Sequence, residues 1–145
     1  MKNADLGRSY MIKAEKRLKT LDVLLREEDY SDVIRESQEV VELCLKGMLR
    51  IAGIEPPKFH DVGSLIIEYK ERFKGIPPGV LRKATRISKQ LRKERELAFY
   101  GDIDFIPTEE YSKGDALKAM KDASWVVDVA KRFIRDPLTP FAKGG

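Results

Sequence analysis

Apolar side chains recur every three or four residues through four long stretches of this chain, a period that fits amphipathic helices and no other regular element. Met11, Ala14, Leu18, Leu21 and Leu25 share one face of a first segment from about Asp5 to Glu28, with Lys13, Lys16, Arg17 and Lys19 off that stripe. Asn3 or Asp5 is placed to cap its start. Asp29-Tyr30-Ser31 breaks the period, and Ser31 or Asp32 is placed to cap a second helix running from about Asp32 to Ala52. Its apolar stripe is Val33, Ser37, Val40, Val41, Cys44, Met48 and Ile51, and Gly53 followed by Pro56-Pro57 stops it. The short gap between these two helices makes them antiparallel neighbours.

A shorter helix begins after Asp61, a candidate N-cap, and carries Leu65, Ile66 and Tyr69 toward Phe73 before Gly75 and Pro77-Pro78-Gly79. The next helix runs from about Val80 to Phe99 with Leu81, Ala84, Ile87, Leu91 and Ala98 inward. After a polar loop beginning at Gly101, Pro107-Thr108 leads into a last helix with Ala116, Met120, Ala123, Val127, Ala130 and Ile134 on one face. No segment alternates polar and apolar residues over a strand's length. The expected fold is therefore all-α, an antiparallel up-and-down bundle of four long helices and one short one. One domain over residues 1–135 accounts for the pattern, and residues 136–145 read as a flexible tail.

Composition narrows the setting. A chain of 145 residues with 42% hydrophobic content is long enough for a single core. It has no apolar run of transmembrane length, the opening MKNADLGRSY does not read as a signal peptide, and Cys44 is the lone cysteine. A cytoplasmic protein with no membrane partner is expected. The net charge of +4 is modest, but it is unevenly spread: Arg82, Lys83, Arg86, Lys89, Arg92, Lys93 and Arg95 are opposed within their stretch only by Glu94. Arg82, Arg86, Lys89 and Lys93 form a stripe opposite the apolar face, able to neutralise the phosphates of a nucleic acid or nucleotide. The plainer reading is a solvated helix face, since no aromatics alternate with these cations.

Several chemistries find no support. No glycine-rich phosphate loop is present. One cysteine and one histidine do not make a zinc site, so neither a metal nor a cofactor is expected. His60, beside Asp61, reads as part of a helix entry, Cys44 as a small core residue, and Trp125 as packing.

The second helix carries a family likeness. The segment from Ser37 to Leu49, SQEVVELCLKGML, resembles the A-Q-x-x-x-E-x-x-L-K-x-L-L pattern of the HEPN family. The segment from Gly53 to Asp61, GIEPPKFHD, is similar to that family's G-x-x-P-x-x-H-D/N turn. RELAFYGD, from Arg95 to Asp102, resembles its signature at the end of the fourth helix, and Tyr111 with Asp115-Ala116 matches the lead into the last. The likeness covers about residues 4 to 134.

The resemblance implies a homodimer in which the fourth helices of two subunits meet at a cleft. Many HEPN proteins are metal-independent ribonucleases that use an Arg followed, after four to six residues, by a His. Arg95 matches the Arg, but Tyr100, Gly101 and Asp102 stand where the His should fall. Cleavage of RNA by its own 2′-OH needs proton transfer at that hydroxyl and at the leaving oxygen. A phenol with an ordinary pKa of about 10 is a poor base near neutrality, and acid–base groups contribute about 10²–10⁴-fold. In the plainer reading Arg95 pairs with Glu94, Asp102 or a partner's carboxylate. Other members of the family pair with a small nucleotidyltransferase in toxin–antitoxin fashion, and Tyr100 lies where some of these carry a nucleotidyl-accepting tyrosine. The resemblance thus points to a binding or regulatory module for nucleotide, RNA or a nucleotidyltransferase partner, with contacts at Arg82, Arg86, Lys89, Lys93 and Arg95. The alternative is an endoribonuclease using Arg95, Tyr100 and Asp102.

Overall fold

A computed structural model describes residues 2–58 and 61–135, so that His60 and the expected tail lie outside the described residues. Four long helices make the body: α1 (Lys2–Arg26), α2 (Tyr30–Ile51), α4 (Pro78–Phe99) and α6 (Lys113–Arg135). Two short ones, α3 (Val62–Glu68) and α5 (Pro107–Glu110), and a 3₁₀ turn (Lys70–Phe73) sit in the connections. The fold is all-α, with no strand among the described residues beyond a single bridge between Asp102 and Phe105. Sequence periodicity missed α5, which has one turn and no buried residue and so leaves no apolar stripe.

Helix α2 is the centre of the molecule, packing against α1, α4 and α6 at once. Val33, Val40, Val41, Cys44, Leu45, Met48 and Leu49 are all essentially inaccessible to solvent. Each such side chain contributes about 1.5–3 kcal/mol through burial alone. The helix therefore owes its stability to three neighbours rather than to intrinsic propensity. Helices α2 and α6 run parallel: Ile34 and Ala119 line one hollow near their starts, and Gly47 faces Ile134 near their ends. Helices α1 and α4 run opposite to them, giving the up-and-down order.

The ends of the helices show which local signals operate. Ser31 is buried inside the first turn of α2, and the residue preceding that helix is Asp29, whose side chain makes no capping bond. Asn3 and Asp5 lie within α1 rather than before it. Asp61 does cap α3, accepting from the Gly63 N–H at 3.0 Å. Pro78 occupies the first turn of α4, where its missing N–H costs nothing and its φ is already helical. At the end of α2, Gly53 has φ +81°, the Ile54 N–H reaches the Leu49 carbonyl at 2.8 Å, and the Gly53 N–H reaches that of Arg50 at 3.1 Å. These paired bonds close the helix in a Schellman motif. Cys44 is buried, and burial pushes its thiol well above the ordinary range, as suits a core residue. Tyr69, expected on the inner face of α3, is exposed because the helix gives way there to the 3₁₀ turn.

Helices α1 and α2 cross at Gly7 and Gly47. A Cβ at Gly7 would sit 2.9 Å from the Gly47 carbonyl oxygen and 3.1 Å from Ile51 Cγ1. Alanine normally gains about 1 kcal/mol over glycine inside a helix, whereas forcing backbones apart in a packed interface costs about 1–3 kcal/mol. The obstacle at Gly7 is rigid backbone, so the second effect wins. Gly7→Ala is expected to lower stability by about 1 kcal/mol in urea titrations, while Gly114→Ala, with only Ser112 Oγ near at 3.6 Å, is neutral or stabilising. Equal stability of the two variants would mean that the helices do not cross this closely.

Candidate functional site

Three arginines from two antiparallel helices converge where α4 ends beside the start of α2. Arg35 from α2 and Arg92 and Arg95 from α4 line a groove of about 350 Å³ together with Glu96, Phe99 and Tyr100. Arg92, Arg95 and Phe99 follow one another at three and four residues and so share a helix face. The Arg35 guanidinium lies over the Phe99 ring, 4.1 Å from its centroid, and bonds Glu36 Oε1 at 2.7 Å. Glu36 also takes Arg17 Nη1 at 3.0 Å through its other oxygen. Arg95 Nη2 meets Glu39 Oε1 at 2.9 Å, both side chains remaining partly in solvent. Neither Glu94 nor Asp102 is thus the carboxylate that Arg95 finds: Glu94 accepts from the Tyr111 hydroxyl at 2.7 Å, and Asp102 Oδ1 accepts from the Ile103 N–H at 2.7 Å. A half-exposed arginine–carboxylate pair contributes at most about 1 kcal/mol, so a phosphate entering the groove displaces Glu39 at little expense.

Tyr100 stands at the outer lip, 76% exposed, with its ring edge-on to Phe99 at 4.6 Å between centroids. The chain must turn sharply just after it. Gly101 takes φ +68°, and a Cβ there would strike the Phe105 carbonyl and the Pro107 ring. Its N–H closes α4 by bonding the Leu97 carbonyl at 3.0 Å. Asp102 and Phe105 exchange two backbone bonds, 2.9 and 3.0 Å long, so residues 102–105 form a closed turn with Ile103 at its tip. Phe105 packs edge-on against Tyr111 at 5.5 Å. Burial, and then the bond to Glu94, push the Tyr111 phenol well above its ordinary range, which keeps its proton in that bond. The lead into the last helix therefore ties the turn back to α4.

Arg82, Arg86, Lys89 and Lys93 do form an exposed stripe on α4. The groove lies roughly a third of a turn around the helix from them, as 3.6 residues per turn requires. Arg95 and Tyr100 are brought together there, Asp102 faces into its own turn, and Arg82 lines a different hollow. Arg35 joins the site without having stood out in the sequence, and Arg92, which the sequence showed only as part of the basic stretch, joins it too. The available signal was spacing: Arg35 stands one turn before Glu39, and Arg92 one turn before Arg95. Trp125 is partly buried under Lys83, whose Nζ is 4.3 Å from the ring centroid. Among the described residues no cluster of His, Cys, Asp and Glu is placed to hold a metal ion, and no helix is long and apolar enough to cross a membrane.

An up-and-down bundle with an arginine near the end of its fourth helix, α4, defines a recognisable class, and comparison with known proteins agrees. The sequence profile described as the HEPN domain matches residues 8–133. The chain belongs to the HEPN family. It is also similar to a Methanocaldococcus jannaschii protein whose name describes it as a candidate toxin, at 28% identity over 140 residues spanning 92% of this chain and 91% of the relative.

Asp32 precedes Arg35, which lines the groove, by one turn of α2. Burial, a shared hydrogen bond with Asp29 and the charge of Asp29 raise its pKa from 3.8 to about 6, against the opposing pull of Arg35. Because the folded value lies above the unfolded one, stability from this group is fully present below about pH 4 and is lost as the pH rises through about 6. In a ¹³C carboxyl titration Asp32 is expected to titrate near 6, and in Asp29→Asn at a lower pH. An unchanged titration in that variant would assign the shift to burial alone.

Proposed function

We propose that this protein is a HEPN-type binding module that holds an RNA or nucleotide phosphate in the groove formed by Arg35, Arg92 and Arg95. It works in the cytoplasm as a homodimer, in a toxin–antitoxin-like pair with a small nucleotidyltransferase. The convergence of three guanidinium groups beside Phe99 and Tyr100 carries this reading. Planar guanidinium forks match phosphate oxygens, and aromatic faces beside them suit an unstacked base. The name of the M. jannaschii relative supports the toxin-side role. The apolar surface beside the groove supports a dimer: Leu97, Phe99, Tyr100 and Ile106 are exposed and Ile103 is 92% exposed, a clustering that usually marks an interaction surface. The protruding hydroxyl of Tyr100 is open to a transferase, which supports its role as the acceptor of a nucleotidyl group. Arg82, Arg86, Lys89 and Lys93 extend the cationic surface for a longer RNA.

The relative's toxin description also favours a second reading, a metal-independent endoribonuclease. Arg95 would stabilise the phosphorane, and Tyr100 and Asp102 would move protons. The bond from Asp102 to the Ile103 N–H and the absence of a histidine at positions 100–102 weigh against it.

Binding and cleavage are separable with one set of proteins. Fluorescence anisotropy with a labelled single-stranded RNA is expected to show an affinity that falls steeply with salt, with a log–log slope of about −0.7 for each phosphate engaged. Arg95→Ala weakens it about tenfold, the cost of one charge-assisted bond. Wild-type protein with EDTA leaves total RNA intact. Cleavage to 2′,3′-cyclic phosphate ends that disappears in Arg95→Ala would replace the binding reading with the enzymatic one, and wild-type affinity in Arg95→Ala would remove the groove from both. For the dimer, Ile103→Asp is expected to halve the mass seen by light scattering, and an unchanged dimer would place the interface elsewhere.

A further inference from the structure

A second hollow, of about 450 Å³, opens at the other end of α4. Arg82 and Arg95 are separated by 13 residues of helix, roughly 20 Å at 1.5 Å per residue. Phe73, Ile76 and Leu81 form its floor and are almost fully buried, while Ile67 and Pro78 form the walls. The charged side chains of the lining belong to exposed residues and stand on the rim. Lys70 and Lys74 come from the 3₁₀ turn and the residue after it, Arg82 comes from α4 opposite, and Glu71 is the one acid among them. None of the three cations forms an ion pair among the described residues, although six such pairs occur elsewhere on the surface.

We infer that this hollow is a docking site for an acidic peptide segment that presents a large apolar side chain. The side chains of the floor offer no hydrogen-bond partner, so a base or sugar seated there gains little for the water it loses. An aliphatic or aromatic side chain suffers no such loss, and the volume lies within the range of ligand-sized clefts. The cations flank the floor from two sides, which suits carboxylates on both sides of an apolar anchor better than the single head of a fatty acid. Ile67, 40% exposed, continues the apolar surface past the hollow, as an extended segment needs. The inference does not rest on the groove at Arg95, which lies at the far end of the same helix and shares no residue with the hollow; Arg82 alone belongs both to the hollow and to the cationic stripe proposed for a longer RNA.

The test uses the full chain and a panel of ten-residue peptides, each with a central Leu, Phe or Trp flanked on both sides by Asp and Glu. Matching peptides flanked by Lys serve as controls. Titrated into ¹⁵N-labelled protein, at least one acidic peptide is expected to shift amides of residues 67–82 and to leave those of residues 92–100 in place. Arg82→Glu and Lys74→Glu, both at exposed positions, are expected to weaken that peptide about tenfold or more while keeping a folded spectrum. Lys-flanked peptides binding as well would overturn the proposal, since the rim would then play no part. So would a panel in which no peptide approaches saturation at about 1 mM, a concentration that corresponds to only about −4 kcal/mol of binding. Dodecanoate producing the same shifts where the peptides do not would reassign the hollow to a small amphiphilic anion, and a short RNA doing so would reassign it to phosphate.

Discussion

The burial of α2 on three sides is the constraint from which the rest of the molecule follows. A helix packed against α1, α4 and α6 at once has one narrow strip left for polar residues. Arg35, Glu39, Glu42 and Lys46 fall on that strip at spacings of four, three and four, and each is only partly accessible. A charged residue in such a place cannot wander as one on an open helix does, because flanking helices confine its stem. Arg35 lies on the Phe99 ring and Glu39 reaches Arg95 for this reason. The arrangement at the groove is thus a by-product of core packing, and it is held with little of the entropy loss that usually weakens surface ion pairs.

The close crossing at Gly7 and Gly47 serves the same end, since larger residues there would push α1 away from α2. At the opposite end of α2 the helix is not capped by a side chain, and the Asp32 carboxyl is hydrogen-bonded to Asp29. The proximity of Asp32 to Arg35 means that ionisation of Asp32 subtracts from the positive field of the groove. The local field is therefore stronger in mildly acidic solution, where Asp32 is protonated, than at neutral pH.

The helices were legible in the sequence because burial writes itself into apolar spacing. Met11, Ala14 and Leu21 of α1, and Leu81, Ala84, Ile87, Leu91 and Ala98 of α4, are buried as their period demands. Helix ends were less legible. Ser31 has the chemistry of a cap but is carried inside α2, and the one-turn α5 has no apolar face to announce it. At the site, Arg95 and Tyr100 could be placed in one region from the local signature, whereas Arg35 could not. Its role depends on α2 running antiparallel to α4, and a contact across 60 residues of sequence has no periodicity of its own. Asp102 illustrates the converse: its neighbourhood in sequence suggests a reactive carboxylate, and its geometry makes it the acceptor that stiffens a turn.

Helix α4 thus serves two ends that differ in kind. Toward its C-terminus the cations stand beside exposed rings and partly paired carboxylates, an environment in which an incoming phosphate replaces one anion by another. Toward its N-terminus the cations form no ion pair among the described residues and ring an apolar floor, an environment in which an incoming group must supply both the carboxylates and the grease. The helix between them is continuous and anchored by five inward apolar residues, so the two ends are held apart by its length. On the two proposed readings, occupancy of one end would leave the other open to its own ligand. A protein segment could remain docked beside Arg82 while the groove at Arg95 fills and empties.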